Sequence, residues 1–584
     1  MTIESRFSTL GFESVQHQTD VVVVGAGGAA MRAAVSAAER GASVIVVAKQ
    51  SVGRGGSTVH GASEIMSMGA SGFGVAEDNP DIHFRDTMEA GLGFIDPTLV
   101  RALAEDAPKR VSDLIRYGVP FDRNPDNSYK LIRSDFGTHA RALGVMGKTG
   151  AAVVKALMEQ ARKLGVRILS PLALVDLIRD EDGNTAGIIA LDAQTLTFHV
   201  INARAVVMGT GGIHGLFSQQ VSTPDVVGDG QAICYRHGAE LVNLEFHQIG
   251  PALVKPYVQL FSKSCFVLHP KMLNNKREPF LEKYLPTGLS ANEVYDEKVF
   301  PFTVSNPSKY IDIAISREIS EGRGTDNGGV YFSFDHVDQT TLERVVPNTA
   351  GWMREKGVDM RDSVLEVGIA FQCLNGGVRM VDNHAQSSIP GLFVVGEIAG
   401  GVRGPDRPGG NSLAEGQVFG HRAGVAAAAL KSRQQGSNSR SLEATVQDLA
   451  ILGKPNASLQ VVREADSLRQ AMQQHCLVEK NHDGLSKVLA QARALTDALK
   501  AGGSGDKASI TEVLTLKNMA HAAELVALAC LNRRESRSGH YRVDYPQTDN
   551  SIYRTSFVVK RGATGPELVQ HPYATSVDQA GASA

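Results

Sequence analysis

DVVVVGAGGAAMRAAVSAAERGASVIVVA, residues 20–48, reads as a strand, a tight glycine turn, a helix and a second strand. Both predicted strands are continuously apolar, as in a parallel sheet covered on both faces. The glycines of GAGGAA allow a sharp turn and a close approach of the backbone to a pyrophosphate, which the helix N-terminus attracts. The segment predicts a Rossmann-like βαβ unit that binds a dinucleotide; the simpler alternative is a glycine-rich turn in another α/β domain.

Two further apolar strands are predicted at 205–208 and 392–397, so the nucleotide-binding domain is expected to be discontinuous. Short strands and Pro-containing loops between them predict an inserted α+β domain that caps a site. Periodic helices follow a polar connector at 432–441. The predicted organisation is a nucleotide-binding domain at 16–237 and 351–432, a capping domain at 238–350, a helical domain at 440–545 and a tail at 546–584 that is expected to be partly disordered after about residue 555.

Composition excludes several classes of protein. A chain of 584 residues exceeds one hydrophobic core, and its 42% hydrophobic and 21% charged residues are ordinary for a soluble enzyme. The net charge of -3 provides no general attraction for nucleic acid or an anionic membrane. Five cysteines without a CxxC pair predict no metal site and no disulfide framework. Without a signal-peptide pattern or a membrane-spanning apolar stretch, a cytoplasmic location is expected.

Further motifs accompany the glycine turn in a fixed order. They are GRGGSTVHGASEI (53–65), MGTGG (208–212), GDGQAICYRHGAEL (228–241), PGLFVVGEIAGGVRGPDRPGGNSLAEGQVFGHRAG (390–424) and NRRESRSGHYRVDYPQTD (532–549). In this order and spacing the chain resembles the fumarate reductase, succinate dehydrogenase and L-aspartate oxidase flavoprotein family over nearly its whole length. The resemblance implies a Rossmann-like FAD-binding domain, a mobile α+β capping domain and a C-terminal helical domain.

The resemblance also implies FAD as the cofactor. It places Glu397 where a ribose hydroxyl is bound, and Ser412 and Leu413 beside the isoalloxazine. The second strand ends in Ala48 and Lys49 without the acidic residue of nicotinamide-binding folds, a departure that the resembled family shares. The expected cofactor-binding residues are Gly25, Gly27, Gly28, Ala29, Lys49, Gly56, Ser57, Thr58, Thr210, Gly211, Asp229, Glu397, Asn411, Ser412 and Leu413.

The flavin is expected to be noncovalent. Membrane-bound members of the resembled family attach it through a histidine in SHTxxAQGG, and the corresponding stretch here is GSTVHGASE, with Ser57 at that position. Ser57 and Thr58 resemble the pattern of the aspartate oxidases, whose flavin dissociates. The alternative is a link through His60, which is displaced by three positions.

The reaction site departs from the resembled family, which uses two histidines and two arginines. EFVQFHPT aligns on EFHQIGPA and puts Gly250 at one histidine position, while HYxMGG aligns on QCLNGG and puts Gln372 at the other. The arginine that delivers a proton is replaced by Ser308. His247 is predicted to be structural, because alternate strand residues face opposite sides and His247 points away from the face of Gly250.

Three residues remain as catalytic candidates. Arg407, in DRPGGNS, matches the surviving arginine and could hold a carboxylate bidentately, with an internal ion pair to Asp406 as the alternative. Lys309, next to Ser308, is an acid or base candidate against a solvated surface role, and Gln372 can donate a hydrogen bond. Further polar candidates, several with structural alternatives, are Arg403, His540, Arg542, His139, Arg141, His269 and Lys271.

Three functions follow from an FAD site joined to an altered reaction site. The first is an FAD-dependent dehydrogenase, oxidase or ene-reductase that acts on a small organic acid or amine other than succinate, fumarate or aspartate. The second is a flavoprotein subunit that passes electrons to an iron–sulfur or cytochrome partner, and the third is a flavin-binding protein without catalysis. Expected partners are a small anionic substrate and an electron acceptor such as oxygen, a quinone or a protein, in a chain that could form a homo-oligomer.

Overall fold

The structure is a computed structural model that describes residues 3–61, 63–431 and 439–573. Its strands fall into one large mixed sheet and several antiparallel or small sheets. In chain order they are β1 Glu13–Val24, β2 Val44–Val47, β3 Ser67–Gly69, β4 Leu131–Ile132, β5 Ala142–Gly144, β6 Arg167–Leu169, β7 Ala173–Arg179, β8 Thr185–Asp192, β9 Thr197–Met208, β10 Leu241–Val242, β11 His247–Lys255, β12 Gln259–Leu260, β13 Lys271–Leu273, β14 Val330–Ser333, β15 Leu365–Leu374, β16 Gly377–Arg379, β17 Leu392–Val394, β18 Ala399–Gly400, β19 Glu479–Lys480, β20 Tyr541–Arg542, β21 Ser556–Arg561 and β22 Pro566–His571.

The α-helices cover the large sheet and form most of the C-terminal part of the chain. In chain order they are α1 Ile3–Ser8, α2 Gly28–Ala38, α3 Ser57–His60, α4 Pro80–Ala90, α5 Pro97–Arg116, α6 Thr149–Lys163, α7 Asp229–Arg236, α8 Lys263–Phe266, α9 Ala291–Asp296, α10 Lys309–Glu318, α11 Gln339–Val345, α12 Pro347–Glu355, α13 Asn411–Ala429, α14 Ser439–Leu452, α15 Val461–Cys476, α16 His482–Ala501 and α17 Ile510–Asn532.

The large sheet contains the predicted βαβ unit. Its order is β6-β2-β1-β9-β8-β7, with β17 beside β9. β1 runs parallel to β2 and β9, and β17 runs parallel to β9. Val21–Val24 and Val44–Val47 are buried throughout, as the continuous apolar runs predict for a covered parallel sheet. The downstream strands therefore join the first one, and the Rossmann-like α/β class is confirmed.

A second, antiparallel sheet lies in the inserted part of the chain. Its order is β12-β11-β15-β14-β13, and the long pair β11 and β15 forms its centre. β15 lies beyond the predicted end of the capping domain at residue 350 and is nevertheless hydrogen-bonded into this sheet. In this register Gln248 lies directly opposite Cys373. The sheet therefore brings residues from both sides of the predicted boundary together.

The C-terminal region is helical, as its periodicity predicts. α15, α16 and α17 pack against one another, and α17 is apolar enough over Lys507–Asn532 to meet the length and composition of a membrane span. Within the described residues this is the one such segment, and 78% of its most apolar window is buried inside the protein. α17 is apolar because it is buried against the neighbouring helices, where it forms the core of this helical domain.

Much of the predicted tail is ordered, because β21 and β22 lie within it. β21 and β22 pair as an antiparallel hairpin, and β21 also pairs with β10. Phe557, Val558 and Val559 are buried, so an apolar strand edge holds this part of the chain in the fold. Residues 574–584 of the predicted tail, and 432–438 of the predicted connector, lie outside the described residues.

Candidate active site

The glycine turn is built by a close approach of two backbones. Gly25 follows β1 with a φ of 108°, in the region that side-chain-bearing residues rarely adopt. A Cβ on Gly25 would lie 2.2 Å from the carbonyl oxygen of Gly209, at the end of β9. The turn leads into α2, which begins at Gly28. This position therefore requires glycine, and the amides that open α2 face a cavity.

Two connected cavities begin at this turn. The smaller measures about 140 Å³ and the larger about 690 Å³. They are joined because the same residues line both, namely Gly28, Ala29, Ser57, Thr58, Gly396 and Glu397. Together they form an elongated channel that runs from the glycine turn to the antiparallel sheet.

The residues present fit FAD. Thr210 Oγ1 is buried without a partner among the described residues and lines the smaller cavity, while Gln417 Oε1 has the same property in the larger one. Unsatisfied buried polar atoms cost free energy unless a ligand meets them. An extended dinucleotide with its pyrophosphate at α2 would pass both residues on its way into the larger cavity.

Most of the residues expected at the cofactor and reaction sites line this channel. The smaller cavity is lined by Gly25, Gly27, Gly28, Ala29, Lys49, Gly56, Ser57, Thr58, Thr210, Gly211 and Glu397. The larger cavity adds Gln372, Arg407, Ser412 and Leu413. Asp229, Asn411 and Lys309 line neither cavity.

Glu397 lies where the two cavities meet. Its Oε1 accepts a hydrogen bond from the amide of Leu374 at 3.0 Å, and its Oε2 accepts one from Ser57 Oγ at 3.3 Å. A carboxylate held in this way is fixed in position and can still accept from a hydroxyl of the ligand. This placement suits the ribose contact that the resemblance implies.

The side chains of Asp229 and Asn411 lie behind the channel wall. Asp229 pairs with Lys49 Nζ at 3.0 Å and accepts a hydrogen bond from Asn518 at 2.8 Å. Asn411 Oδ1 lies 2.9 Å from His83 Nε2. Both side chains make these protein contacts behind the wall, and the expected contact of these two residues with the cofactor stays a prediction.

Lys309 is the catalytic candidate that the structure does not bring to the site. It is the first residue of α10, and its Nζ donates to the carbonyl oxygen of Val304 at 3.0 Å. Burial lowers the pKa of its amine. Ser308 is buried, and its hydroxyl accepts from the amide of Val299 at 3.3 Å. Adjacent helical residues diverge by about 100°, so a neighbour of the aligned position points elsewhere.

Arg407 presents its guanidinium to the larger cavity. Its Nη2 donates to Gln248 Oε1 at 2.6 Å, and its Nε has no partner among the described residues. Asp406 accepts instead from Ser538 Oγ at 2.6 Å, and burial raises the pKa of Asp406 to about 6. The alternative ion pair between Asp406 and Arg407 is not formed, so the cation keeps donors for a ligand.

Arg403 does not add a second free cation. Its Nε pairs with Glu415 at 3.0 Å, and its other nitrogens donate to carbonyl oxygens, including those of Leu374 and Ala399. Burial raises the pKa of Glu415 to about 7, which the Arg403 charge opposes. This buried pair forms part of the wall.

Two of the histidine candidates, His247 and His540, are buried against backbone carbonyl oxygens. His247 is buried between the carbonyl oxygens of Leu244 and Cys476, and burial lowers its pKa to about 3. His540 is also buried and lies against the carbonyl oxygen of Arg533. The other polar candidates, which line neither cavity, are His139, Arg141, His269, Lys271 and Arg542.

The sequence does not indicate two features of the larger cavity, because each depends on a contact between segments that are distant in the chain. A Cβ on Gly250 would lie 2.3 Å from Cε2 of Phe300, so an aromatic ring occupies the space beside the expected histidine position. Cys373 donates to Gln248 Oε1 at 3.1 Å and lines the larger cavity. The loss of a side chain at Gly250 signals that another residue fills that space, but not which one.

Comparisons with known proteins agree on the kind of protein. A family model described as "FAD binding domain" matches residues 20–413, and one described as "Fumarate reductase flavoprotein C-term" matches residues 465–578. The chain is 32% identical to a subunit of the CoM/CoB fumarate reductase of Methanothermobacter marburgensis, over 92% of this chain and 96% of that one. It is 30% identical to L-aspartate oxidase of Caulobacter vibrioides, over 91% and 95%. The solved structure of Mycobacterium smegmatis Sdh1 in complex with UQ1 shares 30% identity and a TM-score of 0.80, over 96% and 95%.

Proposed function

The chain belongs to the fumarate reductase, succinate dehydrogenase and L-aspartate oxidase flavoprotein family, and from this we propose that it is an FAD-dependent oxidoreductase acting on a small monocarboxylate with an apolar remainder. Its membership and its FAD-dependent oxidoreductase class rest on the family matches. FAD, when bound, accepts or donates a hydride. The single observation that carries the substrate class is the pairing of Arg407 with an apolar wall in one cavity.

Arg407 supplies the carboxylate anchor. Gln248 Oε1 accepts from one of its nitrogens, which orients the planar guanidinium toward the cavity. Gln372 lines the same cavity, and its Oε1 has no partner among the described residues. Because Gln372 is a neutral amide, it can align a substrate but cannot neutralise a second carboxylate.

The apolar wall lies where a second polar group is expected. Phe300 packs with Leu260, Ala252 and Ala370 in a hydrophobic cluster that is separate from the main core. Phe300 is 9% exposed and, like Leu260, lines the larger cavity. The side chains of this cluster offer no hydrogen-bond donor, so an ionised carboxylate placed against them would lose hydration without compensation from the cluster itself. The wall therefore favours a hydrocarbon or aromatic group at the far end of the substrate.

Titration of the FAD-loaded protein tests this substrate class. Benzoate is expected to perturb the flavin spectrum with a dissociation constant about tenfold or more below that of fumarate, because burying an aromatic group contributes about 1.5–3 kcal/mol. Phe300→Ala should weaken benzoate about tenfold and leave acetate unchanged, since acetate reaches only the cation. Phe136→Ala, which removes an exposed ring outside the cavity lining, is the matched control. Tighter binding of fumarate than of benzoate contradicts the proposal.

We also propose that the flavin is noncovalent. Ser57 cannot form the histidyl link, and its hydroxyl lies near Ser222 and Glu397. His60 lines the larger cavity, but its Nε2 already lies 3.0 Å from the carbonyl oxygen of Arg54. Acid precipitation is expected to release all of the yellow colour into the supernatant. Colour that stays in the pellet and disappears in His60→Ala would instead assign the link to His60.

A second candidate function is membership of an electron-transfer complex. The supporting observation is that the relative from Methanothermobacter marburgensis is named as one subunit of its enzyme. An iron–sulfur or cytochrome partner would accept electrons from the FAD in that case. Co-purification of a tagged chain with a cluster- or haem-containing protein tests this, and rapid reoxidation of the reduced, isolated chain by oxygen favours an oxidase.

A further inference from the structure

A thiol lies beside the carboxylate anchor. Cys373 and Gln248 are opposite each other across β15 and β11, and Cys373 Sγ donates to Gln248 Oε1 at 3.1 Å. The same oxygen accepts from Arg407 Nη2 at 2.6 Å. The thiol and the guanidinium are therefore within two hydrogen-bond lengths of each other, and both residues line the larger cavity.

Other polar groups show that this cavity is built for a hydrogen-bonding ligand. Gln259 and Ser262 line it and are only 5% and 3% exposed. Gln259 Nε2 and Ser262 Oγ are buried without a partner among the described residues. Buried polar atoms are normally satisfied, so these two add unmet hydrogen-bonding capacity to the wall of the cavity. The thiol is thus one of several polar groups in this wall.

Several ionisable groups around Arg407 have protein partners, and the neighbouring Asp406 accepts from Ser538 Oγ and does not line the cavity. Glu415 is paired with Arg403, and Glu397 accepts from Leu374 and Ser57. Lys309 lies outside the cavity lining. Cys373 holds an exchangeable proton next to the anchor through one neutral hydrogen bond.

We propose that Cys373 is a catalytic acid that protonates the substrate carbon next to the carboxylate held by Arg407 when an α,β-unsaturated monocarboxylate is reduced. The inference rests on the proposed function. The S–H bond breaks, and the π electron pair of the alkene forms the new C–H bond at that carbon. Reduced flavin, when bound, would supply the hydride for the β-carbon. The thiolate left behind regains its proton from water.

The electrostatics suit a proton donor. Burial raises the pKa of the Cys373 thiol to about 11, while the nearby charge of Arg407 opposes that rise. The thiol is therefore protonated throughout the neutral range, and Arg407 stabilises the thiolate formed after proton transfer. If Glu415 donated instead, its pKa of about 7 would make the rate fall as the pH rises above that value.

Stopped-flow reoxidation of the dithionite-reduced holoprotein by trans-cinnamate, without oxygen, tests the proposal. Cys373→Ser and Cys373→Ala are expected to slow reoxidation by about 100-fold or more, the usual contribution of a general acid. Their benzoate dissociation constants should stay near that of the wild type. Cys234→Ala, which removes a buried thiol outside the cavity lining, is the control with an unchanged rate. The wild-type rate should not vary between about pH 6 and pH 9, because the thiol stays protonated over that range.

Thiol labelling gives a second readout that does not depend on turnover. Benzoate is expected to slow the labelling of Cys373 by N-ethylmaleimide, measured by mass spectrometry, in the wild type but not in Arg407→Gln. Labelling that benzoate does not slow overturns the placement of the thiol beside the anchor.

The remaining outcomes separate the two proposals. A Cys373→Ser rate close to that of the wild type, a rate that falls above about pH 7, or no reoxidation by cinnamate despite Arg407-dependent benzoate binding overturns the role of Cys373 and leaves the proposed function standing. Absence of any monocarboxylate effect on the flavin spectrum overturns the proposed function itself.

Discussion

Gly25→Ala is expected to lower the affinity for FAD by about 30-fold or more, since each 1.4 kcal/mol is a tenfold change. Its φ of 108° is unfavourable for alanine by about 1–2 kcal/mol. The added Cβ would also lie 2.2 Å from a backbone oxygen of Gly209, which cannot move without shifting β9. The turn must open, and the amides of α2 leave the pyrophosphate. Flavin content after purification and fluorescence titration of the apoprotein measure the effect.

Gly41→Ala is the matched control for this change. Gly41 also has a positive φ, of 79°, but a Cβ there would meet nothing within 4 Å. The two variants therefore share a backbone cost and differ in the clash at the nucleotide turn. Equal flavin content in both would show that the turn tolerates a side chain and that the close approach to Gly209 is not required.

Arg407→Gln is expected to weaken benzoate by about 10- to 100-fold, because hydrogen bonds to charged groups contribute about 1.5–3 kcal/mol. Glutamine keeps a donor near Gln248 but removes the charge and the paired nitrogens. The dissociation constant of benzoate in Arg407→Lys should lie between those of the wild type and Arg407→Gln, since lysine keeps the charge without the planar fork. Turnover of any monocarboxylate substrate should fall at least in parallel with binding. Titration of the flavin spectrum checks the first effect, and steady-state kinetics checks the second.

Arg422→Gln controls for the loss of an arginine close to this region of the chain. Its Nε pairs with Asp106 at 2.8 Å, and Arg422 does not line either cavity. Benzoate binding should be unchanged in this variant. Unaltered benzoate binding in Arg407→Gln would remove the anchor from the proposal and favour a flavin-binding protein with another ligand site.

The fold could be predicted largely from local patterns. Continuous runs of valine and isoleucine at 21–24 and 44–47, with glycines between them, predict a buried parallel strand pair joined through a tight turn. The helical periodicity of 440–532 likewise reflects which face of each helix is buried. Local patterns do not predict that the tail is structured. Its hairpin is stabilised by pairing with β10, a strand distant in the chain that no local pattern reveals.

The sequence also predicts most of the residues that line the channel beside the glycine turn, because glycines and small residues at a turn are required by the backbone itself. Asp229 and Asn411 show the limit of this reasoning. Their positions in the motifs are correct for the neighbourhood, but the direction of each side chain depends on Lys49, Asn518 and His83, which come from elsewhere in the chain. Alignment of a motif gives the position of a residue along the backbone but not the direction of its side chain.

The sequence by itself determined the Rossmann-like fold class and FAD as the cofactor, and it predicts that the turn at Gly25 holds the dinucleotide and that Gly250, Gln372 and Ser308 alter the reaction site. Only the tertiary structure decided what replaces the missing groups. Phe300 packs against Gly250, and Cys373 and Arg407 both donate to one oxygen of Gln248. Lys309 instead donates to a backbone carbonyl oxygen outside the cavity. The physical reason is that turns and strands follow from local backbone and hydrophobic preferences. The geometry of a reaction site depends instead on the directions of its side chains, and these are fixed by packing between segments that are distant in the chain.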